Sequence, residues 1–385
     1  MVKRHLEKEI NQYLFKKKVI IIYGARQVGK TTLVEHLIKV LPGKTLLLNG
    51  DEADVREALS NLNPPRLKPL IGDHKIIVID EAQRIPETGL VLKIIHDNYK
   101  DIQLIATGSS SFELAGKVNE PLTGRKFEFF LHPFSFGEMV DHHGFLTEKR
   151  LLEHRMIFGY YPDITLNPGL ELKLLKSLAS SFLYKDLLTL EQIQKPLLLD
   201  KILKALALQT GHEVSFNELA RLLDSDKGTI EKYIDLLERT YIIFRLNGLN
   251  RNVRNEIKKG RKIYFYDNGI RNAIIGNFLP LSSRVDTGVL WENFLISERY
   301  KLLGNKDIDF KSFFWRTTQQ QEIDYIEERQ GKLFAYEFKW NARKKSWLSR
   351  TFANAYPDSE FHVISPENIF EFLVSEIFNL QPENI

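Results

Sequence analysis

The chain has 385 residues, of which 43% are hydrophobic and 27% charged, with no cysteine and a formal net charge of +4. This length predicts about two to four domains rather than one compact core. The absence of cysteine excludes disulfides and cysteine-ligated zinc or iron–sulfur sites, as is usual in a reducing compartment. Because no segment reaches the roughly 18 apolar residues of a membrane-spanning helix, we expect a cytoplasmic protein without a membrane partner.

The first 110 residues alternate between two patterns. Short β-branched runs at 19–23, 45–49, 75–80 and 102–108 predict strands that are buried on both faces, as parallel strands are. The segments between them have helical periodicity. The alternation predicts an α/β fold built on a parallel sheet.

A glycine-rich loop follows the first predicted strand and opens the next predicted helix. It reads GARQVGKT, and such a loop binds ATP phosphates through backbone N–H groups and the helix N-terminus. We expect Lys30 to reach the β- and γ-phosphates, and the Thr31 hydroxyl to ligate Mg²⁺. The predicted nucleotide-binding residues of this segment are Gly24, Ala25, Arg26, Gln27, Val28, Gly29, Lys30, Thr31 and Thr32.

A second motif, IIVIDEAQ at 76–83, ends a strand with two acids. Asp80 would hold Mg²⁺ through water, and Glu81 would orient and deprotonate the attacking water. A further strand ends in IATGSSS, where Ser109 or Thr107 could contact the γ-phosphate as a sensor. Together these motifs predict an ATP-hydrolysing enzyme that uses Mg²⁺.

Arg125, in LTGRKFEFF, is a candidate arginine finger. A fixed guanidinium stabilises the charge that develops on the γ-phosphate in the transition state. A surface arginine at a strand edge fits the same spacing equally well.

Residues 214–249 show a helix–turn–helix pattern followed by a strand, which predicts a winged helix. Glu231, Asp235 and Glu238 on the second helix disfavour base-specific readout of DNA. The following stretch, 245–262, carries seven cations against one acid and is consistent with non-specific DNA binding. A solvated loop is the equally plausible alternative.

The last third combines a helix with alternating strands, and three acids and a lysine in it form a candidate metal site. Asp324 lies on one strand, and Glu337 and Lys339 share one face of the next. With Glu292 from the helix, these carboxylates could bind Mg²⁺ for phosphodiester hydrolysis, which is the pattern of restriction-endonuclease-like folds. The alternative is a surface ion-pair network.

The chain resembles bacterial and archaeal ATPases of the AAA+ superfamily that carry a C-terminal domain of unknown function. The resemblance rests on GARQVGKTTL, IIVIDEAQ, IATGSSS, LTGRKFEFFLHPFSFGE, FGYYPD, YFYDNGIRN, WENF and EIDYI with EFKW. It implies an ATPase core, a helical lid, a winged helix and a nuclease-like terminus. It also implies an ATP site at Lys30, Thr31, Asp80 and Glu81 and a nuclease motif at Glu292, Asp324, Glu337 and Lys339. Sites in such ATPases commonly lie at subunit boundaries, so a homo-oligomer is expected.

The predicted fold class is α/β: a P-loop NTPase core, a helical lid, a winged helix-turn-helix and a restriction-endonuclease-like domain. The predicted boundaries are 1–165, 166–211, 212–264 and 265–385. The predicted function is ATP hydrolysis by a protein that acts on or is bound to DNA, with a nuclease-like C-terminal domain. The alternative is a nucleotide-controlled switch whose C-terminal domain binds DNA or a partner protein without cleaving it.

Overall fold

The computed structural model describes residues 1–60, 64–108, 121–181, 195–249, 260–344 and 346–374. Within it the chain forms two compact units. Apart from the first two residues, the N-terminal unit comprises Lys3–Phe134 with the short segment Arg239–Tyr241. The C-terminal unit comprises Ser135–Glu238 and Ile242–Ile385.

The N-terminal unit is an α/β layer structure around a five-stranded sheet of order β2-β3-β4-β1-β5. The strands are β1 (Val19–Tyr23), β2 (Thr45–Asn49), β3 (Ile76–Asp80), β4 (Gln103–Gly108) and β5 (Lys126–Phe130). The helices are α1 (His5–Tyr13), α2 (Lys30–Val40), α3 (Ala53–Leu59), α4 (Pro64–Ile71) and α5 (Thr88–Asn98). The four strands predicted from the sequence are therefore present within one residue of their expected limits.

Every pairing in this sheet is parallel. The three central strands, β3, β4 and β1, are buried along their whole length, because helices cover both faces of the sheet. Parallel strands bring their carboxyl ends to one edge, where open α/β sheets bind ligands. The residues that follow β1, β3 and β4 therefore lie side by side.

The C-terminal unit begins with helices and ends with a sheet. Its helices are α6 (Phe136–His143), α7 (Phe145–Arg150), α8 (Leu152–Phe158), α9 (Pro162–Leu166), α10 (Glu171–Ser181), α11 (Pro196–Leu208), α12 (Phe216–Leu222), α13 (Lys227–Arg239), α14 (Asn268–Ile275), α15 (Thr287–Asn305), α16 (Arg350–Ala355) and α17 (Ile369–Leu373). Its strands are β6 (Ile243–Gly248), β7 (Arg261–Phe265), β8 (Lys311–Arg316), β9 (Glu322–Arg329), β10 (Lys332–Phe338) and β11 (Glu360–Ile364). The sheet order is β11-β10-β9-β8-β6-β7.

The predicted wing differs from the observed structure. The two helices of the motif are present as α12 and α13, and Ser215 caps α12 by accepting a hydrogen bond from the backbone N–H of Glu218. The strand that follows, β6, pairs with β7 on one side and with β8 on the other. Because β6 and β7 bury apolar side chains within the six-stranded sheet, they extend the C-terminal sheet instead of forming a separate wing.

Two predicted domain boundaries shift for related reasons. The boundary at 264/265 falls inside β7, so the sheet of the last predicted domain already begins at Ile243. The compact N-terminal unit ends at Phe134, whereas the ATPase core was predicted to extend to residue 165. The helices α6 to α9 pack within the C-terminal unit, mainly through the contact of α8 with α14.

A buried polar network joins the sequence motifs FGYYPD, YFYDNGIRN and WENF inside the C-terminal unit. Asn268 donates to the carbonyl oxygens of Met156 and Leu290, and Asn293 donates to Asn268 and to the carbonyl of Phe265. Asp267 accepts from the backbone N–H of Tyr160 at 2.7 Å. Buried polar groups require such partners, so these motif residues stabilise the fold.

This network predicts an unequal response to two matched glycine substitutions. Gly159 and Gly276 have similar positive φ angles, 75° and 69°. A Cβ at Gly159 would lie 2.0 Å from a carboxylate oxygen of Asp267, whereas a Cβ at Gly276 meets nothing within 4 Å. We expect Gly159→Ala to lower the free energy of unfolding by about 1–3 kcal/mol more than Gly276→Ala does. Gly276 has left-handed helical angles with ψ at 24°, whereas Gly159 has ψ at −159°, in a region that residues with a side chain avoid. A side chain at Gly159 would in addition overpack the core. Chemical denaturation of the two variants measures the difference, and equal losses would contradict this account.

Candidate functional site

The glycine-rich loop leaves the carboxyl end of β1, which lies next to the central strand β4 of the N-terminal sheet. The strand β4 lies between β1 and β3, with Thr107 beside Ile22 in the register. Neighbouring strands are about 4.8 Å apart, so β4 separates the loop from the acidic end of β3 by one strand width on each side. Thr107 therefore lies between the two predicted motifs.

A chain of three side chains connects the motifs. The Thr31 hydroxyl donates to Asp80 Oδ2 at 2.7 Å, and the Thr107 hydroxyl donates to Asp80 Oδ1. Thr107 Oγ1 in turn accepts a hydrogen bond of 3.2 Å from the backbone N–H of Glu81. Both oxygens of the Asp80 carboxylate are thus held in place, and the two residues that the sequence predicts as Mg²⁺ ligands lie next to each other.

Glu81 has left-handed backbone angles, with φ at 50°, directly after the buried strand β3. Such angles are uncommon for a residue with a side chain and often occur at functional sites. Its carboxylate accepts a hydrogen bond from the side-chain amide of Gln83. The position at the end of β3, next to Thr107, suits a residue that acts on a water molecule beyond the γ-phosphate.

Lys30 is buried at the start of α2, and its ammonium group donates to the carbonyl oxygens of Gly24 and Ala25 at 2.9 and 2.8 Å. The lysine therefore lies across the loop. Gly24 is required by close packing, since a Cβ there would lie 2.4 Å from the carbonyl oxygen of Leu131. Thr31 and Thr32 are exposed at the beginning of the same helix.

Arg4 supports the loop and was not identified from the sequence. It is buried, and its guanidinium donates to the carbonyl oxygens of Val28 at 2.8 Å and His132 at 2.6 Å. It thus fixes the loop to the segment that follows β5. No motif marks this residue, because its role depends on partners 24 and 128 positions away.

These residues fit ATP and Mg²⁺. The Thr31 hydroxyl and the Asp80 carboxylate supply the hard oxygen atoms that Mg²⁺ prefers as ligands. They lie within hydrogen-bond distance of each other. The loop residues Ala25 and Val28 are buried, Arg26 is half-buried and Gln27 is exposed. The two apolar side chains therefore anchor the loop in the core. The predicted sensor Ser109 lies outside the described residues.

Arg125 does not lie near the loop of its own chain. Its carbonyl accepts from the backbone N–H of Val19, at the amino end of β1, whereas the loop follows the carboxyl end. Its guanidinium donates to Asp97 at 3.0 Å. Hydrogen bonds from His96 and then Arg125 lower the pKa of Asp97. Within one chain, Arg125 therefore forms a surface ion pair at the amino ends of the strands, opposite the end that carries the loop.

The C-terminal acids form a second cluster. The antiparallel register pairs Tyr325 with Tyr336, so the next pair places Asp324 beside Glu337 on one face. Asp324 accepts a hydrogen bond of 2.8 Å from the backbone N–H of Phe338. Burial, and then the charges of Glu292 and Glu337, raise the pKa of Asp324 well above its usual value. Asp324 and Glu337 are therefore neighbours, and Glu292 is close enough for its charge to act on Asp324.

Two lysines neutralise this cluster. Lys339 donates to Glu337 at 2.6 Å, and the buried Lys262 lies 3.2 Å from Glu292 and 2.6 Å from Glu322. Burial alone would lower the pKa of Lys262, but the carboxylates of Glu292 and Glu322 raise it above its usual value. Among the described residues no three His, Asp or Glu side chains are arranged to hold a metal ion. Lys262 had been predicted only as part of the basic stretch.

The basic stretch of 245–262 is mostly outside the described residues, and its two ends are engaged internally. Arg245 forms ion pairs with Asp235 and Glu238 of α13. Lys262 is buried against the C-terminal carboxylates. Two of the three acids of the predicted recognition helix, Asp235 and Glu238, thus have a partner on β6, and neither Arg245 nor Lys262 is a free phosphate contact.

Comparisons with known proteins agree with the geometry of the N-terminal site. Residues 16–140 match the family model of an AAA domain. The structure resembles the Walker-type ATPase of Pyrococcus abyssi with a TM-score of 0.52 and 16% identity, over 71% of this chain and 96% of that one. The N-terminal unit is thus similar in sequence to AAA domains and in fold to a Walker-type ATPase.

The remainder matches domains without an assigned role. Residues 149–280 and 287–375 match two different domains of unknown function. An uncharacterized protein of Mycobacterium tuberculosis is 28% identical over 360 residues, which cover 92% of this chain and 77% of the relative. One of Methanocaldococcus jannaschii is 24% identical over 342 residues, with 83% and 74% covered. In the part of the chain that the structure describes, no helix is long and apolar enough to cross a membrane.

Proposed function

We propose that this protein is an ATP-hydrolysing enzyme that binds Mg²⁺–ATP and acts on DNA through its C-terminal unit. The observation that carries the ATPase part is the hydrogen-bonded chain of Thr31, Asp80 and Thr107 beside Glu81. Thr31 and Asp80 would hold the metal, and Lys30 would bind the β- and γ-phosphates. Mg²⁺ supplies charge neutralisation of the phosphates when bound.

In this proposal each residue has a separate task. Lys30 interacts with the ground-state phosphates, while Glu81 orients the attacking water and accepts its proton. Thr107 holds Asp80 and the backbone of Glu81 in a fixed relation, which avoids reorganisation during hydrolysis. Gln83 orients the Glu81 carboxylate.

The DNA-directed part is supported by the C-terminal carboxylates. Asp324 and Glu337 lie on one face at the end of the sheet, beside a lysine that could contact a phosphate. The second candidate function, a nucleotide-controlled switch, is favoured by the same lysines, because Lys262 and Lys339 already neutralise the acids without a metal.

We further propose that the active form is a homo-oligomer. Arg125 is partly exposed at the edge of the sheet opposite the nucleotide loop, so it could stabilise only the γ-phosphate held by another chain. Its bond to Asp97 would have to break on assembly. Specific ATPase activity that rises with protein concentration supports this proposal, whereas activity independent of concentration in a monomeric protein contradicts it.

The two functions predict different ATPase responses to DNA. If the protein acts on DNA, single-stranded, double-stranded or branched DNA should raise the steady-state rate about fivefold or more, which is the lower end of usual coupling between sites. Phosphate release by the full chain with and without each DNA measures this, with Glu81→Gln as the background control. DNA that binds in a nucleotide-dependent way but leaves turnover unchanged supports the switch. Absence of DNA binding contradicts both forms of the DNA proposal.

The C-terminal carboxylates predict a divalent-metal effect that is separate from the ATP site. In an Asp80→Asn background without nucleotide, millimolar Mn²⁺ should raise the melting temperature by about 2–4 °C. The double substitution Asp324→Asn, Glu337→Gln should abolish the rise, because it removes the charge that holds the cation. Glu360→Gln, which alters a carboxylate paired with Lys332 elsewhere in the sheet, is the matched control. No shift in the parent, together with no Mn²⁺-dependent nicking of supercoiled DNA, would leave the terminus as a binding module.

A further inference from the structure

We propose that the segment formed by residues 341–344 and 346–350 binds single-stranded DNA, with an unpaired base stacked on the indole of Trp347. This inference rests on the proposed DNA-directed function and names the form of DNA that the C-terminal unit takes. We call this segment the tryptophan strip. It connects β10 to α16.

Trp347 is 81% exposed, although burying an indole ring is strongly favourable. Its neighbours are anchored. Leu348 packs against the apolar cluster that contains Trp315 and Phe352, and the Ser349 hydroxyl donates to the side-chain oxygen of Gln321 at 2.8 Å. The contacts of the two residues that follow Trp347 therefore anchor the backbone on that side while the indole stays exposed to solvent, as a stacking platform requires.

The residues that flank Trp347 in the sequence carry charge of one sign. Residues 338–357 contain five cations, Lys339, Arg343, Lys344, Lys345 and Arg350, and no acid. Arg343, Lys344 and Arg350 are exposed, and none of them forms an ion pair with a described residue. By contrast, Arg245, Lys262 and Arg316 in the same unit are each paired with carboxylates. The exposed cations of the strip are thus available to phosphates, and they lie on both sides of Trp347 in the sequence.

The strip lies at the same end of the sheet as the acids. Because β9 and β10 are antiparallel, the start of β9 and the end of β10 meet at one end. Gln321, which anchors Ser349, directly precedes β9, and Asp324 is the third residue of that strand. A DNA strand bound on the strip would therefore pass the end of the sheet that carries Asp324 and Glu337.

An open groove of about 730 Å³ adjoins this anchor and is lined partly by Phe314, Thr317, Gln320 and Tyr356. Its arginine, Arg316, is within 4 Å of carboxylates of Glu213 and Glu322, so the lining is close to neutral. A neutral groove of polar and aromatic side chains suits bases and sugars, while the cations of the strip suit phosphates. The groove and the tryptophan strip together therefore suit the bases and the phosphates of one single DNA strand.

Unpaired DNA fits better than a duplex. In a duplex both faces of each base are already stacked on neighbours, so an exposed indole gains little from contact with it. In a single strand the face of any base is available, and stacking on an aromatic residue adds about 1–3 kcal/mol per base without sequence preference. The proposed ligand is therefore a single strand of any sequence.

The test is a titration of the full chain with fluorescein-labelled oligo-dT and with a closed hairpin duplex. Trp347→Ala should weaken oligo-dT binding about 5- to 150-fold, which corresponds to the stacking energy, and leave duplex affinity within about twofold. Trp347→Phe should retain most of the affinity. Oligo-dT should also quench tryptophan fluorescence more strongly in the parent than in Trp347→Phe, since Trp291 and Trp315 are buried and Trp340 is only half-buried. Leu166→Ala, at another exposed apolar residue, is the matched control.

A charge arm separates this proposal from the function on which it rests. Reversal of Arg343 and Lys344 to Glu should weaken oligo-dT binding and flatten its salt dependence, whereas reversal of the exposed Lys173 and Lys176 should change neither. If Trp347→Ala binds oligo-dT with the affinity of the parent and shows the same quenching, while the charge reversal still weakens binding, the stacking proposal is overturned and DNA binding by the C-terminal unit stands. Equal loss of single-strand and duplex binding in Trp347→Ala also overturns it. No binding of any DNA by the parent overturns the DNA-directed function as well.

Discussion

The hydrogen bond of 2.7 Å from Thr31 to Asp80 is the interaction on which the nucleotide site depends. It joins the first turn of α2, which follows β1 and the loop, to the end of β3, and β4 lies between β1 and β3 in the sheet. Thr107, at the carboxyl end of β4, closes the arrangement by donating to Asp80 and accepting from the backbone of Glu81. The parallel order of these strands is therefore what converts two distant sequence motifs into one site.

The C-terminal unit depends on a different constraint, because it buries many polar groups that need hydrogen-bond partners. Asn268, Asn293 and Asp267 are satisfied by one another and by backbone groups, and Arg299 forms a buried pair with Glu327 at 2.7 Å. Removing one partner of such a pair leaves an uncompensated charge, which is strongly destabilising. Near the proposed metal site the same principle operates through Lys262, whose ammonium lies between Glu292 and Glu322.

Sequence patterns predicted the N-terminal sheet well because buried parallel strands are continuous apolar runs, and the ATP motifs follow them directly. The wing was assigned differently because β6 has the same local pattern in either context, and only its pairing with β8, more than 60 positions away, decides the sheet. Arg4 and Lys262 were missed as site residues for the same reason: their partners are distant in sequence. The position of Arg125 depends on the parallel pairing of β5 with β1, which places the residue before β5 at the amino end of β1, away from the loop. Asp324 and Glu337 lie on neighbouring strands because β9 and β10 pair in antiparallel fashion across a short turn, and their role as metal ligands stays a prediction.

The central claim is that one site binds ATP through Lys30 and hydrolyses it through Glu81. Equilibrium binding of ATP and single-turnover phosphate release, measured on Lys30→Ala and Glu81→Gln, test it most directly. The account predicts that Lys30→Ala abolishes binding, because the ammonium interacts with the ground-state phosphates. Glu81→Gln should bind ATP like the parent and lose hydrolysis by about 100-fold or more, since general-base catalysis typically contributes that much. Hydrolysis by Glu81→Gln at the parental rate would contradict the account.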